Sequence, residues 1–360
     1  MKKVLKWLGI AIGILALTVA GYVAYVFLSY HRIPDHQDLT PETAESPQSE
    51  TVLTAGKEYT AVTYNIGFGA YLPDYSFFMD GGKYSWGKSK ASVTNAVKQA
   101  GALVGDIHPD FALIQEIDLD GTRSYHVDQY QLLKQALPEY HSAFGVNYDS
   151  PFLMYPLQQP HGKNKAGLST FSRYGILSSE RRSLPISTGF SKLFDLDRCY
   201  TISRIPVDNG KELVIFNLHL SAYGNSDEIR TAQVGMLTED MKKEYAAGNY
   251  VLCGGDFNHD LKAEEGQAED RASWAYPFPR TSLPRHFSFC MDTLSSQEKE
   301  RLWNSARNAD MPYVEGKTYT VTLDGFIISD NITCITYENK NTGYAYSDHE
   351  PVVVTFRLEN

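Results

Sequence analysis

The run YVLCGGDFN, at residues 250–258, is the stretch that determines the expected fold. Its first four residues are apolar, and β-branched and aromatic types of this kind are typical of a buried strand. The run then passes through two glycines and ends in Asp256 and Asn258. A carboxylate at the end of a buried strand costs several kcal/mol unless it is paired or bound to a cation. The run therefore predicts a core strand that carries polar side chains to a site.

Further strand candidates lie on both sides of this run, and three helical patterns, at 88–107, 126–137 and 226–247, lie between them. The candidates are EYTAVTYNI (58–66), FALIQEI (111–117), GLSTFS (167–172), CYTISRIPV (199–207), ELVIFNLHL (212–220), TYTVTLDGFIIS (318–329), NITCITYE (331–338) and PVVVTFRL (351–358). Many strands with few helices between them favour an α+β fold in which sheet packs on sheet and the helices lie outside.

Polar side chains recur at the ends of these strands, as they do in the first run. The set contains two amides, four carboxylates and two histidines: Asn65, Glu116, His219, Asp256, Asn258, Asp324, Asp348 and His349. Oxygen-rich ligands suit a hard cation such as Mg²⁺, and a metal with nearby donors can stabilise charge on a phosphoryl group. Asp324 and His349 can form a carboxylate–imidazole pair. The pattern therefore predicts a metal-assisted site for phosphate ester hydrolysis, whereas Asn217 is expected only to close a strand hydrogen bond.

The N-terminal segment is a candidate membrane anchor. From Trp7 to Tyr30 the chain has 24 consecutive residues without a charge, and as a helix they would extend for roughly 36 Å, enough to cross a hydrocarbon core of ~30 Å. Three lysines precede the segment, which favours a cytoplasmic N-terminus. A cleaved signal peptide is the alternative, although its apolar region is usually only ~7–15 residues long.

These features divide the chain into three parts. Residues 1–30 are expected to be a cytoplasmic stub and a single-pass transmembrane anchor in the cell membrane. Residues 31–56 are rich in Pro, Ser, Thr and Glu, and we expect them to be a flexible spacer. Residues 57–360 would then form one extracytoplasmic catalytic domain.

Composition and cysteine usage narrow the classes of function. The 360 residues carry 33 basic and 43 acidic side chains, a formal net charge of −10, so bulk charge would not hold a polyanion. The four cysteines, Cys199, Cys253, Cys290 and Cys334, form no CxxC motif, which gives little support to a structural zinc site. Buried free thiols are expected, with one or two disulfides as the alternative outside the cytoplasm.

Three segments, 66–87, 149–164 and 274–287, interleave aromatic residues with Gly or Pro. Each is either a loop folded over its own aromatic side chains or part of a rim around a cleft that binds a partly apolar substrate. His161 is a candidate rim residue, and Asp118 is expected to be a solvated loop charge.

Six short motifs follow one another in a particular order. They are T-Y-N-I (63–66), I-Q-E (114–116), N-x-H (217–219), G-D-F-N (255–258), L-D-G-F-I-I-S (323–329) and S-D-H (347–349). Together they resemble the endonuclease/exonuclease/phosphatase family, the DNase-I-like metal-dependent phosphoesterases, over essentially all of residues 57–360. The resemblance implies a four-layer α/β/β/α sandwich, here in a membrane-anchored bacterial-type member, with Mg²⁺ or Mn²⁺ as cofactor.

The resemblance also implies roles on the metal side of the site. Glu116 resembles the principal metal ligand, Asn65 stands beside it, and Asp348 is in a metal-side position. Asp256 resembles the residue that orients or activates water.

On the substrate side, His349 resembles the catalytic histidine, with Asp324 as its orienting partner. Asn258 and His219 resemble residues that contact the phosphate or leaving group. Lys165 falls near the place where the family has an Arg or Tyr, and a lysine there departs from the family pattern. Whether His349 or Asp256 takes the proton of the attacking water stays open.

The expected function is Mg²⁺-dependent hydrolysis of phosphodiester or phosphate monoester bonds outside the membrane. The substrate would be a nucleic acid, a phospholipid such as sphingomyelin, or a small phosphate ester, and no obligate protein partner is evident. An anchored binding protein that kept the fold without activity is the alternative. The presence of Glu116, Asp256 and His349 argues against that alternative.

Overall fold

Fifteen strands and five α-helices make up the part of the chain that the computed structural model describes, residues 1–48, 51–189, 192, 196–221, 227–263 and 275–360. The helices are α1 (Lys2–Ser29), α2 (Lys90–Ile107), α3 (Gln129–Ala136), α4 (Asp227–Ala246) and α5 (Ser296–Arg301). The strands are β1 (Gln37–Leu39), β2 (Glu58–Asn65), β3 (Phe111–Gly121), β4 (His141–Asp149), β5 (Asn164–Ser172), β6 (Ser178–Ser183), β7 (Cys199–Pro206), β8 (Glu212–His219), β9 (Tyr250–Asp256), β10 (Phe287–Phe289), β11 (Ala306–Arg307), β12 (Thr320–Val321), β13 (Asp324–Ser329), β14 (Ile332–Asn339) and β15 (Val352–Leu358).

Two large sheets form the centre of the domain that follows α1. One has seven strands in the order β1-β6-β7-β8-β9-β13-β10, and the other has six in the order β14-β15-β2-β3-β5-β4. The sheets pack against each other, with α2 and α3 on the outer face of the six-stranded sheet and α4 outside the seven-stranded one. The predicted α+β sandwich of four layers is therefore confirmed.

Strand β3 shows how sequence alternation builds these layers. Phe111 and Leu113 are fully buried in the cluster between the two sheets, while Ala112 and Ile114 are buried in the cluster beneath α2 and α3. Successive side chains of a strand point to opposite faces, so a strand buried on both faces has an unbroken apolar run. Each large side chain buried in this way contributes about 1.5–3 kcal/mol, which fixes the sheets relative to each other.

Two parallel strand pairs bring four strand ends to one edge of the sandwich. β2 runs parallel to β3, and β8 runs parallel to β9. The two pairs are joined across the sheets by Gln115, whose Nε2 donates to Asn217 Oδ1 at 2.8 Å. Asn217 in turn donates from Nδ2 to the carbonyl of Ser169 at 2.9 Å, so this amide serves the structure, as predicted.

Helix α1 is long and apolar enough to cross a membrane. Its mean hydropathy reaches 2.2 over the most apolar window, and only 6% of that window is buried. By length and composition it is a candidate membrane anchor or signal sequence.

Residues 32–48 lie against the catalytic domain, which differs from the flexible spacer expected over 31–56. Strand β1 pairs antiparallel with β6 and becomes the edge of the seven-stranded sheet. Ile33 N donates to Asp197 Oδ2 at 2.5 Å, and Glu42 N donates to the carbonyl of Ser142 at 2.7 Å. Composition alone suggested a spacer because these residues have no apolar period. The exposed edge of β6 supplies the pairing that the sequence does not show.

All four cysteines are buried free thiols, as expected. Burial raises the pKa of Cys199 to about 11, so this thiol stays protonated at neutral pH and packs as a small apolar group.

Candidate active site

A cleft of about 400 Å³ lies where the strand ends of the two sheets meet. We call its polar base the floor, which consists of the cleft-lining residues Glu116, His219, Asp256, Asn258, Asp348 and His349 together with their partners Asn65 and Asp324. Strand register explains their convergence. Asp256 at the end of β9 is paired with His219 on one side and with Asp324 on the other.

The Asp324–His349 pair is the best-defined interaction in the floor. His349 Nδ1 donates to Asp324 Oδ2 at 2.8 Å, and Ser305 Oγ donates to the same oxygen at 2.8 Å. The carboxylate is fully buried, and the opposite ring nitrogen, Nε2, lies 3.7 Å from Asp256 Oδ2. Asp324 therefore fixes the orientation of the ring, with Nε2 turned towards the cleft.

The charges of these groups are coupled. Burial opposes protonation of His349, but Asp324 and Asp256 outweigh it and hold the pKa of His349 well above its usual value. Burial raises the pKa of Asp256 to about 7, and the neighbouring Asp324 adds to this rise while His349 opposes it. His349 is therefore an imidazolium that can donate a hydrogen bond to an anionic group in the cleft.

Asn65 and the backbone of Asn258 hold the carboxylates of the floor. Asn65 Nδ2 donates to Glu116 Oε1 at 3.1 Å and to Asp256 Oδ2 at 3.0 Å. Asn65 Oδ1 accepts from Gly67 N at 3.0 Å, and Asn258 N donates to Asp256 Oδ1 at 2.8 Å. In this arrangement Asn65 positions the two carboxylates, and it would have to rotate its amide to offer an oxygen to a cation.

Two floor residues have a left-handed backbone. Glu116 has φ 56° and lies where the register between β3 and β5 shifts, and Asn258 has φ 50°. Strict alternation would place Glu116 on the helix-covered face, together with Ala112 and Ile114. The left-handed conformation instead lets its side chain reach Asn65. Such a conformation costs a non-glycine residue about 1–2 kcal/mol, and strain of this kind is found where a side chain must be aimed at a site.

The donor set of the floor fits a hard divalent cation. Glu116, Asp256 and Asp348 present carboxylates to one cleft. Burial raises the pKa of Asp348 to about 6, with Glu116 contributing to the rise and with His349 and Arg307 opposing it. A bound cation would balance these crowded negative charges, and oxygen ligands without cysteine suit Mg²⁺. Asp256, Asp324 and His349 also lie close together, but Asp324 Oδ2 and His349 Nδ1 bond to each other and are not free as ligands.

His219 differs from His349 in its charge. Its Nε2 lies 3.5 Å from Asp256 Oδ2 and 3.9 Å from Glu116 Oε1. Burial, with Arg198 and His349 adding to it, holds the pKa of His219 well below its usual value. This ring is therefore a neutral imidazole, and its buried Nδ1 has no hydrogen-bond partner among the residues that the structure describes.

The wall above the floor is largely aromatic. We call it the rim, and it consists of Phe68, Tyr71, Phe77, Met79, Asp80, Tyr148 and His161. Most of these residues come from segment 66–87, for which the sequence left open a place at the cleft. His161 is a rim residue, as the sequence suggested. Residues 275–287, by contrast, do not line the cleft, and Trp274 lies outside the described residues.

Three arginines that were not predicted from the sequence line the cleft: Arg123, Arg198 and Arg307. Arg123 donates from Nε and Nη2 to Asp118 at 3.1 and 2.8 Å, and its Cζ lies 4.0 Å above the ring centroid of Phe68. Asp118 was expected to be solvated, but it is fully buried because this ion pair compensates its charge. No motif marks these arginines, although the spacing of Asp118 and Arg123 across a tight turn is a weak signal for a local pair.

Lys165 does not belong to the floor or the rim. It lies on β5 with its side chain 46% exposed, and its Nζ is 3.9 Å from Asp149 Oδ2. The geometry therefore does not support the predicted contact of Lys165 with substrate. The eight other predicted site residues all lie in the floor.

Comparison with known proteins agrees with this architecture. A profile described as the Endonuclease/Exonuclease/phosphatase family matches residues 62–309. No curated protein sequence matches the chain significantly.

Among solved structures, an endonuclease/exonuclease/phosphatase from Beutenbergia cavernae DSM 12333 has a TM-score of 0.60 and 16% identity, covering 84% of this chain and 72% of that one. Zebrafish (D. rerio) TDP2 complexed with a single-strand DNA product has a TM-score of 0.55 and 15% identity, covering 84% and 99%. The human Nocturnin catalytic domain with a bound sulfate anion has a TM-score of 0.52 and 16% identity, covering 84% and 93%. At these identities the likeness establishes the fold alone. Since the family profile spans more than half of the chain, the protein belongs to the Endonuclease/Exonuclease/phosphatase family and is a phosphoric ester hydrolase, as the motifs predicted.

Proposed function

We propose that the protein hydrolyses phosphodiester or phosphate monoester bonds with Mg²⁺ as its cofactor and with its catalytic domain outside the membrane that α1 crosses. Membership of the family supports the general activity, hydrolysis of phosphate esters. The observation that supports the finer proposal is the floor itself, in which an imidazolium, Asp256 and Glu116 face one cleft.

His349 and Asp256 divide the work of the reaction. The His349 imidazolium, held by Asp324, donates from Nε2 to a phosphoryl oxygen and stabilises the charge that grows there. Asp256 is fixed by Asn65 Nδ2 and Asn258 N, so its carboxylate can hold the attacking water and accept its proton. We therefore assign the base to Asp256 and the electrostatic role to His349.

Glu116 and Asp348 would hold the metal ion, with Asp256 at the border between metal and water. When bound, Mg²⁺ supplies Lewis-acid polarisation of the phosphate and balances the charge of these carboxylates. Asn258 donates from Nδ2 to the carbonyl of Leu220 at 2.8 Å, which fixes its amide at the wall of the cleft. A second amide hydrogen is left for a phosphate oxygen.

The rim and the arginines suit a phosphate ester that carries a flat or apolar group. Arg123 lies between Asp118 and the face of Phe68, so a guanidinium whose charge is paired with Asp118 stacks on the aromatic wall. A nucleotide and a lipid headgroup with its chains both have this chemistry. TDP2 in complex with a DNA product makes a nucleic acid one member of the substrate panel.

The test is hydrolysis of bis-p-nitrophenyl phosphate and p-nitrophenyl phosphate by the full chain, with EDTA and after Mg²⁺ is added back. We expect turnover to require the metal, and Glu116→Gln to lower kcat/KM by about 100-fold or more, since it removes a charged ligand but keeps the shape. Glu212→Gln is the matched control. Glu212 pairs with Arg204 at the start of β8, whereas the floor residue His219 lies at the other end of that strand. Turnover in EDTA at the wild-type rate would refute the metal dependence. Equal losses in the two variants would refute the role of Glu116.

A further inference from the structure

The loop between β4 and β5 has an exposed apolar tip. From Ser150 to Gly162 the sequence SPFLMYPLQQPHG contains no Asp, Glu, Lys or Arg. Its side chains Phe152, Met154, Tyr155 and Leu157 are exposed, Tyr155 by 72% and Leu157 by 76%. We call these four residues the apolar tip. Four large apolar side chains on one uncharged loop form a patch of the kind that marks an interaction surface.

The apolar tip lies directly against the N-terminal helix. Tyr22 Oη donates to the carbonyl of Phe152 at 3.2 Å and accepts from Met154 N at 2.9 Å. Tyr25 Oη accepts from Phe152 N at 3.1 Å. Two tyrosines of the candidate membrane span therefore satisfy three backbone groups of the loop. Tyrosine is a residue that prefers the membrane–water interface, where one end is apolar and the other is polar.

The position of these contacts along α1 gives the depth of the loop. If the hydrocarbon core begins at Trp7, a rise of ~1.5 Å per residue places Tyr22 ~22 Å and Tyr25 ~27 Å along the helix. In a core of ~30 Å both tyrosines lie within ~8 Å of its outer boundary. Loop groups that bond to these hydroxyls lie at the same depth. Amphipathic segments that bind at a bilayer surface are buried by a similar ~5–10 Å.

Most backbone N–H groups of the loop are already paired within the protein. Unsatisfied backbone groups are costly in hydrocarbon, so a loop can enter only if they are paired. Three prolines, at 151, 156 and 160, have no N–H to satisfy. Seven N–H groups of the loop are paired, those of Ser150, Phe152, Leu153, Met154, Gln159, His161 and Gly162. Those of Tyr155, Leu157 and Gln158 have no partner among the described residues, so this part of the loop must stay at the polar headgroups.

The loop is also held firmly on the catalytic domain and reaches the rim of the cleft. Trp86 Nε1 donates to the carbonyl of Pro160 at 2.7 Å. The ring of Tyr155 lies 5.8 Å from that of Phe78, and Phe78 lies 5.8 Å from the ring of the rim residue His161. An aromatic path therefore joins the apolar tip to the cleft.

We propose that the apolar tip is a second membrane contact, which inserts into the interface of the bilayer that α1 crosses and turns the rim of the cleft towards that surface. The proposal rests on the membrane anchoring that is part of the proposed function. It assigns the patch to lipid, because the tip is continuous with an apolar helix and carries no charge. A second copy of the chain is the alternative occupant that the experiment must exclude.

The test uses the full chain in nanodiscs that hold one copy each, so that no second copy can cover the tip. An environment-sensitive NBD label is placed on Leu157→Cys, Leu17→Cys or Leu177→Cys, and the protein without an added cysteine reports background labelling, since its four thiols are buried. Leu17 lies in the middle of α1. Leu177 is a matched control, an exposed leucine (60%) that lies immediately before β6, in the connection that follows the end of β5 away from the tip.

We expect lipids with a doxyl group at acyl carbon 5 to quench the label at 157 more strongly than lipids with the group at carbon 12. The label at 17 should show the reverse order, and the label at 177 should be quenched only by iodide in the water. A label at 157 that behaves like the one at 177 while the label at 17 is in the bilayer overturns the proposal. A label at 17 in water overturns it as well, because α1 then crosses no membrane. Hydrolysis of bis-p-nitrophenyl phosphate by the same samples reports separately on catalysis.

Discussion

The floor and the rim of the cleft hold their side chains by different means. In the floor, strand register and mutual hydrogen bonds fix each group, as in the pairing of Asp324 with Asp256 and the 2.8 Å bond from His349 to Asp324. In the rim, aromatic residues of segment 66–87 pack on one another, as Phe68 does on Tyr71 with ring centroids 5.3 Å apart. From this difference we expect catalysis to depend on the floor and the choice of substrate to depend on the rim.

The largest effect is expected at His349. Replacement by Ala removes the imidazolium, and kcat/KM for bis-p-nitrophenyl phosphate should fall by about 10³-fold or more. His286 offers a matched control, because its Nδ1 lies 2.7 Å from Asp330 Oδ2 in a pair of the same chemistry that is about half exposed. His286→Ala should leave kcat/KM unchanged. Similar losses in both variants would show that the effect is not particular to the floor.

A smaller loss is expected for Asp324→Asn, because the ring remains but its orientation and charge support are weakened. Misplacement of a catalytic group can cost up to about 100-fold in rate. Since the two residues act as one unit, the double variant with His349→Ala should be little worse than His349→Ala alone. Fully additive losses in this cycle would show that Asp324 and His349 act independently.

Arg123 joins the buried Asp118 to the rim residue Phe68, and its replacement should affect mainly stability. Arg123→Ala leaves Asp118 buried without a partner, so the free energy of unfolding should fall by about 3–5 kcal/mol. Lys242→Ala, which breaks an exposed pair with Glu239, should cost less than about 0.5 kcal/mol. Chemical denaturation of both variants measures the difference. A small loss for Arg123→Ala would mean that solvent reaches Asp118.

The smallest effect on a minimal ester is expected at Tyr155, which lies at the outer end of the aromatic path that joins the apolar tip to the cleft. Tyr155→Ala removes an exposed ring whose contact with the rim runs through Phe78, so kcat/KM for bis-p-nitrophenyl phosphate should change by less than about 2-fold. Parallel assays with a nucleic acid and with phospholipid vesicles should show any larger change on one class of natural ester. A large loss with the minimal ester would contradict the separation of floor and rim.

Local sequence predicted the convergence of the floor because most of its residues lie at or next to the end of an apolar strand, whereas Glu116 lies within β3 at its register shift. It predicted less where structure depends on distant partners. β6 has the polar sequence SSERRS, and no local pattern marks it as a strand. Its Arg181 is fully buried because carbonyls from Pro34, Val146 and Asp197 accept its hydrogen bonds. Such partners cannot be read from a window of ten residues.

The same limit applies within the site. The aim of Glu116 depends on its left-handed backbone, which the motif I-Q-E does not encode. Lys165 was chosen by its position near a motif, whereas the cations of the cleft come from elsewhere in the chain, Arg123 from the turn after β3 and Arg307 from β11. Arg307 is held there because its Nη2 donates to the carbonyls of Tyr71 and Leu72.

The docking of residues 32–48 limits how far the catalytic domain can move from its anchor. As a free coil, the 26 residues from 31 to 56 would let the domain wander by roughly 28 Å from its anchor. Because β1 is paired with β6 and Ile33 is hydrogen-bonded to Asp197, this segment is instead fixed to the domain and allows little movement away from the anchor. If α1 crosses a membrane, the cleft keeps a constant height and tilt above it. The encounter of the enzyme with its substrate then takes place in two dimensions. Its rate is set by the lateral diffusion of substrates that lie at the height of the cleft. Esters farther from the membrane surface must diffuse to the enzyme.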